Sequence, residues 1–271
     1  SQSNLIWFGH SAFLLQMEGK NILLDPMFGD VPAPSPYLGQ KRYSSTLPIS
    51  IEKMPVIDAI VISHDHYDHL DYGSIKKLKD KTKMFYVPLG VGAHFIEWGV
   101  DASQIVEMNW WETSTLGDVS FSFTPSRHFS GRGITNRNST LWGSWVITGK
   151  KENLFFSGDG GYGSHFKEIG NRFGPFDLAM VECGQYNEKW KMIHMMPEQS
   201  AQAGMDVRAK TIMPIHWGAF TLAMHSWTDP VVRITAKSLE LGIPVITPKI
   251  GEQVHLKKLS KPEYQIKWWL N

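Results

Sequence analysis

The sequence predicts an α/β fold, and three observations carry that prediction. Short apolar runs alternate with amphipathic stretches along both halves of the chain, which is the texture of proteins that layer helices on sheets. The first three apolar runs are separated only by short turns containing glycine, as in an antiparallel meander. Several later runs each end on a single His or Asp, so polar side chains gather at strand ends. At 271 residues the chain is long enough for one large domain or two small ones, and either would bury a substantial core.

Taken in order, residues 5–8, 12–17 and 21–24 read as the strands of the meander, with Gly9-His10 and Glu18-Gly19-Lys20 between them. His10 sits in the first turn, where it either lines a site or serves the structure. From 27 to 55 the composition shifts to Pro, Gly, Ser and Tyr, as in Val31-Pro32-Ala33-Pro34-Ser35-Pro36-Tyr37. So many prolines exclude a helix interior or a central strand, and the stretch reads as a lid or a surface loop insert. Residues 57–62 form a strand running into a polar loop, 72–79 an amphipathic helix with its lysines toward water, 84–87 a strand, and 90–98 a helix whose His94 is read as an ordinary residue. Strands at 104–108 and 119–123 flank Asn109-Trp110-Trp111-Glu112. The second half repeats this pattern: strands at 140–148 and 154–156, a helix at 164–173, a strand at 178–182, a helix at 197–207, a strand at 211–215, a helix at 230–241, and strands near Val245 and Val254.

Composition excludes several functions. Lys plus Arg number 27 against 26 for Asp plus Glu, a net charge of +1, so no global field recruits nucleic acid or an anionic surface. Cys183 is alone, which rules out an intramolecular disulfide and a cysteine-based zinc site and fits a reducing compartment. No apolar run approaches the roughly 20 residues of a spanning helix, and Ser1-Gln2-Ser3-Asn4 does not open a signal peptide. The expectation is a cytoplasmic protein, with peripheral membrane contact left open by its 11 Trp and 12 Met.

The chemistry concentrates in Ser63-His64-Asp65-His66-Tyr67-Asp68-His69, where three imidazoles and two carboxylates share seven positions. In extended chain His64 and His66 point the same way, and Asp68 and His69 follow the turn. Imidazole with carboxylate is the ligand set of zinc and its first-row neighbours, whereas calcium and magnesium favour all-oxygen sites. Farther on, His128 follows Ser122-Phe123-Thr124-Pro125, Asp159 lies in Ser157-Gly158-Asp159-Gly160-Gly161, and His216 follows Ile212-Met213-Pro214-Ile215. His194, in Lys191-Met192-Ile193-His194-Met195-Met196-Pro197-Glu198, Trp190, and the arginines Arg127, Arg132 and Arg137 around His128 are further candidates. Guanidinium groups there would clamp phosphate oxygens.

These residues resemble the metallo-β-lactamase superfamily. The motifs Trp7-Phe8-Gly9-His10-Ser11, Leu24-Asp25-Pro26, Leu141-Trp142-Gly143-Ser144-Trp145, Ser157-Gly158-Asp159, Arg172-Phe173-Gly174-Pro175-Phe176-Asp177-Leu178 and Ile215-His216-Trp217-Gly218 are similar to the branch of N-acyl-phosphatidylethanolamine-hydrolysing phospholipase D and its bacterial relatives. The chain departs from that branch at Gly160, where Thr is usual. The resemblance implies a four-layer αββα sandwich, a single domain over residues 1–271 whose two similar halves meet near residue 125, and two divalent metal ions, zinc first, with manganese or iron as alternatives. It also implies ligand roles: His64, His66 and His128 on one ion, Asp68, His69 and His216 on the other, Asp159 bridging, and Asp25 orienting a metal-bound imidazole from behind. The implied activity is a metal-dependent hydrolase attacking with a hydroxide shared between the ions. Its substrate would be an N-acyl-phospholipid-like or other small diester. Asp68 orients the nucleophile, His194 assists the leaving group, and Arg127, Arg132 and Trp190 bind substrate. A lactonase resembling the L-ascorbate-6-phosphate lactonases is the alternative, and a non-catalytic metal-binding regulator is a third reading.

Overall fold

The computed structural model describes residues 2–35 and 37–270. Ser1, Asn271 and Pro36 of the proline-rich insert lie outside the described residues. The first sheet is built from β1 (Asn4–Trp7), β2 (Phe13–Met17), β3 (Lys20–Leu24), β4 (Ile57–Val61), β5 (Thr82–Pro88) and β6 (Ile105–Met108), with α1 (Tyr72–Leu78) and α2 (Gly92–Glu97) on its outer side. The second sheet takes β7 (Thr113–Leu116), β8 (Val119–Thr124), β9 (Ser144–Thr148), β10 (Asn153–Phe156), β11 (Leu178–Glu182) and β12 (Ile212–Ile215). Its helices are α3 (His165–Phe173), α4 (Pro197–Asp206) and α5 (Asp229–Leu241), after which β13 (Gln253–His255) returns to the first sheet beside β1.

Each sheet begins antiparallel and turns parallel. The order β13-β1-β2-β3-β4-β5-β6 is antiparallel through β3 and parallel beyond it, and β7-β8-β9-β10-β11-β12 repeats the scheme with its switch at β10. Hydrophobic alternation decides which layer each residue serves. Phe13, Leu15, Ile22, Leu24, Ala59 and Val61 meet Phe121, Phe123, Trp145 and Ile147 between the sheets. Leu14, Leu23, Ile60 and Ile62 point the other way, toward Ile75, Leu78 and Phe95 of the first helix pair. A fully buried Leu or Phe contributes about 2 kcal/mol, so an alternation kept over this many strands fixes register strongly.

Three expectations need correction. The strand expected from residue 140 begins at Ser144, because 141–143 bonds elsewhere: Leu141 N–H donates to Leu89 and Gly143 N–H to Ser63. Near Val245 there is a single bridge to Ile212 instead of a strand, since Pro244 and Pro248 remove donors on either side. The chain changes sheets between Met108 and Thr113, ahead of residue 125. Among its described residues, the 27–55 segment has no strand and only a 3-10 turn at Ile51–Lys53. Arg42 ties it down by donating to the carbonyls of Phe8 and Met27, and Tyr43 joins it to Ala219 and Thr221. Among the described residues, no helix is long and apolar enough to cross a membrane.

Candidate metal centre

β4 delivers the histidine motif to the edge where the two sheets meet, and the chain ends of β8, β10 and β12 bring His128, Asp159 and His216 to the same place. The close approach depends on glycine. Gly158 has φ +55°, and a Cβ there would lie 2.7 Å from both the Gly143 carbonyl oxygen and Ser63 Cβ. At Gly184 a Cβ would fall 1.6 Å from the His216 carbonyl oxygen, so only glycine lets these loops touch.

His64 Nε2, His66 Nδ1 and His128 Nε2 converge, with the first and third 3.0 and 3.2 Å from the second. On the other side Asp68 Oδ2 lies 3.1 Å from His216 Nε2 and 3.4 Å from His69 Nε2. Asp159 stands between the groups: Oδ2 is 3.1 Å from His216 Nε2 and 3.9 Å from both His64 Nε2 and His128 Nε2, and Oδ1 is 3.2 Å from His69 Nε2. The structure thus brings together all seven residues that the sequence nominated.

Partners behind the cluster orient it. Asp25 accepts from Ser63 N–H at 2.7 Å, Ser63 Oγ at 2.5 Å and His69 Nδ1 at 2.7 Å. His128 Nδ1 donates to the Ile193 carbonyl at 2.9 Å. His10, fully buried, meets Asp68 Oδ2 at 2.8 Å and packs 4.1 Å from the His216 ring, so it backs the cluster. Such contacts fix tautomer and ring angle.

This donor set suits a cation. The three imidazole nitrogens around His66 point at one another, where at most a proton or a metal can sit between facing lone pairs. His69 Nε2 and Asp159 Oδ1, buried and 3.2 Å apart, make no well-aligned hydrogen bond, and buried polar atoms left so are costly. Burial holds His64 and His128 well below the ordinary imidazole range, which keeps their lone pairs available. Burial pushes Asp159 upward, yet His216 and His69 hold it well below the usual carboxylate range. The residues fit a divalent metal with nitrogen and oxygen ligands.

A 220 Å³ pocket opens over the cluster, walled by Phe129, Trp190, Ile193 and Leu222, with Gln185 and His194 as polar groups. Trp190, a substrate-binding candidate from the sequence, lines this pocket. The arginines do not. Arg132 donates through Nη1 to the carbonyls of Asp65 and Leu70 at 2.7 and 2.6 Å and lies over Tyr67. Arg127 donates to the Tyr162 carbonyl, and Arg137 covers Phe129. Neither Arg127 nor Arg132 lines the pocket, because backbone carbonyls beside the metal loop claim the guanidinium groups first.

The family model described as the beta-lactamase superfamily domain matches residues 20–217. The chain belongs to the metallo-β-lactamase superfamily. This superfamily member is 42% identical over 252 residues to an uncharacterized protein of Mycobacterium tuberculosis, covering 92% of this chain and 67% of the other. It is 34% identical over 236 residues to N-acyl-phosphatidylethanolamine-hydrolyzing phospholipase D 1 of Caenorhabditis elegans, covering 82% of this chain and 66% of that one. The chain therefore spans about two thirds of these relatives. In fold it matches a possible metal-dependent hydrolase of Veillonella parvula with a TM-score of 0.73 at 16% identity, covering 94% of this chain and 100% of that one.

Two groups in this metallo-β-lactamase site escaped the sequence reading. Asp65, fully buried, accepts from Gly131 N–H at 2.7 Å and faces His94 Nε2 at 3.4 Å, so His94 braces the metal loop. Glu182, at the end of β11, is 1% exposed and lies 3.0 Å from His194 Nδ1. Its one signal is a carboxylate closing the otherwise apolar Leu178-Ala179-Met180-Val181.

Proposed function

We propose that this chain, a metal-dependent hydrolase by family, is a phosphodiesterase working with two zinc ions on diesters that carry an apolar group. His64, His66 and His128 would hold one ion, Asp68, His69 and His216 the other, and Asp159 would serve both. When bound, such ions lower the pKa of water and stabilise charge developing on oxygen. Asp68 lines the pocket and orients the attacking water, whose proton the lowered pKa releases to solvent. His194 supplies a proton to the departing oxygen from the same pocket. Burial works against a charged His194 ring, but the Glu182 carboxylate outweighs it and raises its pKa, which suits a proton donor near neutrality. Phe129, Trp190, Ile193 and Leu222 hold the apolar part of the substrate and exclude water.

The observation that carries this reading is the clustering of seven ligand-type side chains beneath one apolar-walled pocket, which His66, Asp68, Asp159 and His216 line together with His194. The activity for which the nematode relative is named supports the choice of a diester. The test joins elemental analysis of purified protein to a hydrolysis panel of bis(p-nitrophenyl) phosphate, N-acyl-phosphatidylethanolamine and a lactone. Two zinc per chain with diester turnover is expected, and lactone turnover without diester turnover would overturn the reading. Asp68→Asn should lower diester kcat by about 10²-fold or more with the far-UV circular dichroism unchanged.

A further inference from the structure

We infer that Glu182 is a positioning residue that sets the tautomers of two imidazoles at once, His194 in the pocket and His216 in the metal centre. This rests on the roles just proposed for those two histidines. Its carboxylate is buried behind both rings. Oε1 accepts from Met195 N–H at 2.8 Å, and Oε2 lies 3.0 Å from His194 Nδ1 and 3.4 Å from His216 Nδ1. The rings stack 12° from parallel with centroids 5.4 Å apart, so one anion reaches the rear nitrogen of each.

His216 Nδ1 is buried and has no hydrogen-bond partner in line, which leaves the shared carboxylate as the acceptor within reach. An acceptor behind a ring places the proton on Nδ1 and leaves Nε2 facing forward. For His216 the forward nitrogen is the one beside Asp68 and Asp159. For His194 it is the atom that serves the substrate. A carboxylate can accept from both rings through Oε2 and from Met195 N–H through Oε1, whereas a glutamine amide has one acceptor oxygen and would turn a donor toward either the rings or Met195 N–H.

The main chain of Glu182 is fixed from two sides. Its N–H donates to Ser157 Oγ at 2.9 Å, and its carbonyl accepts from Ser200 Oγ at 2.5 Å. Ser157 lies two residues before Asp159, so the carboxylate is referenced to the metal loop as well as to α4.

The test is long-range ¹H–¹⁵N NMR of zinc-loaded, histidine-labelled protein, with the His194 signals identified by His194→Ala. Wild-type protein is expected to show His194 and His216 protonated on Nδ1. Glu182→Gln is expected to mix the His194 tautomers, raise the rate of zinc loss to a chelator about tenfold or more, and lower kcat on bis(p-nitrophenyl) phosphate with KM little changed. Glu182→Asp, which keeps the charge, should restore part of each. Wild-type His194 or His216 lacking a proton on Nδ1 would overturn the inference. So would a Glu182→Gln protein whose ring signals and zinc loss match wild type within twofold. Should the variants fail to fold, the wild-type tautomers decide alone. Wild-type protein inactive on every diester would sink the phosphodiesterase reading, while the tautomer and zinc measurements would still judge Glu182.

Discussion

Asp25 shows how much one side chain can determine at this centre. With φ +37° and no exposure, it reaches Ser63 and His69 together, so the backbone of the histidine loop and one of its rings share an anchor. Asp25→Asn keeps the shape but presents a donor to at least one of three groups that now donate to it. Zinc affinity should fall about 10- to 100-fold, read by competition with a chromophoric chelator. Unchanged affinity would show that His69 is held by other contacts. At this scale the sequence was most legible where chemistry is dense: histidine is scarce, and His64-x-His66-x-Asp68-His69 has few other uses. Glu182 was illegible because its partners lie 12 and 34 residues downstream, and a glutamate closing a strand looks like any solvated strand end. The arginines misled because the sequence shows their charge but not the carbonyls that occupy them.

Elements were legible in proportion to their burial. β2, β3, β4 and β11 alternate or run apolar, and their positions follow from that pattern. β7, with Thr113-Ser114-Thr115-Leu116 half exposed at the sheet edge, has no core face to announce it and owes its place to the tight turn into β8. Helix α3 starts with His165, whose pKa is lowered to about 4 by burial and, less, by Arg127. Unfolded, the same imidazole titrates near 6.5. The folded state is thus unpenalised above that pH, and stability drains away as pH falls from about 6.5 to 4, where only the unfolded chain takes the proton. The loss is on the order of 3 kcal/mol. His165→Gln should flatten the urea midpoint between pH 7 and pH 4.5 relative to wild type. At the other end of the chain, Trp269 lies in the C-terminal 3-10 turn at Trp268–Leu270. It is buried, 5.8 Å from the Trp217 ring in an edge-on contact, with Trp268 stacked on Trp217 beside it. Trp269→Ala should therefore cost about 3–5 kcal/mol, visible as a lower urea midpoint with an unchanged slope.

The whole molecule is organised around the line where its sheets meet. The alternating runs foretold helices layered on sheet, and the family resemblance implied two sheets between helices; neither could foretell that β13 would cross back to pair with β1, since three residues with one buried side chain carry almost no pattern. Because the candidate ligands come from both sheets, an ion bound there stabilises the native arrangement and not the unfolded chain. At a free concentration about 1,000 times its dissociation constant, that linkage is worth about 4 kcal/mol. Stripping metal with EDTA should lower the calorimetric midpoint, and restoring zinc should return it. An indifferent midpoint would mean that the sheets dock without help.

That division of ligands has a practical corollary. A cut in the tight turn at Gly117-Asp118 would leave His64, His66, Asp68 and His69 on one fragment and His128, Asp159 and His216 on the other. Neither piece owns a full coordination sphere, so zinc uptake by a mixture of the two would signal their reassembly, turning the ion into a reporter of complementation between separately expressed fragments.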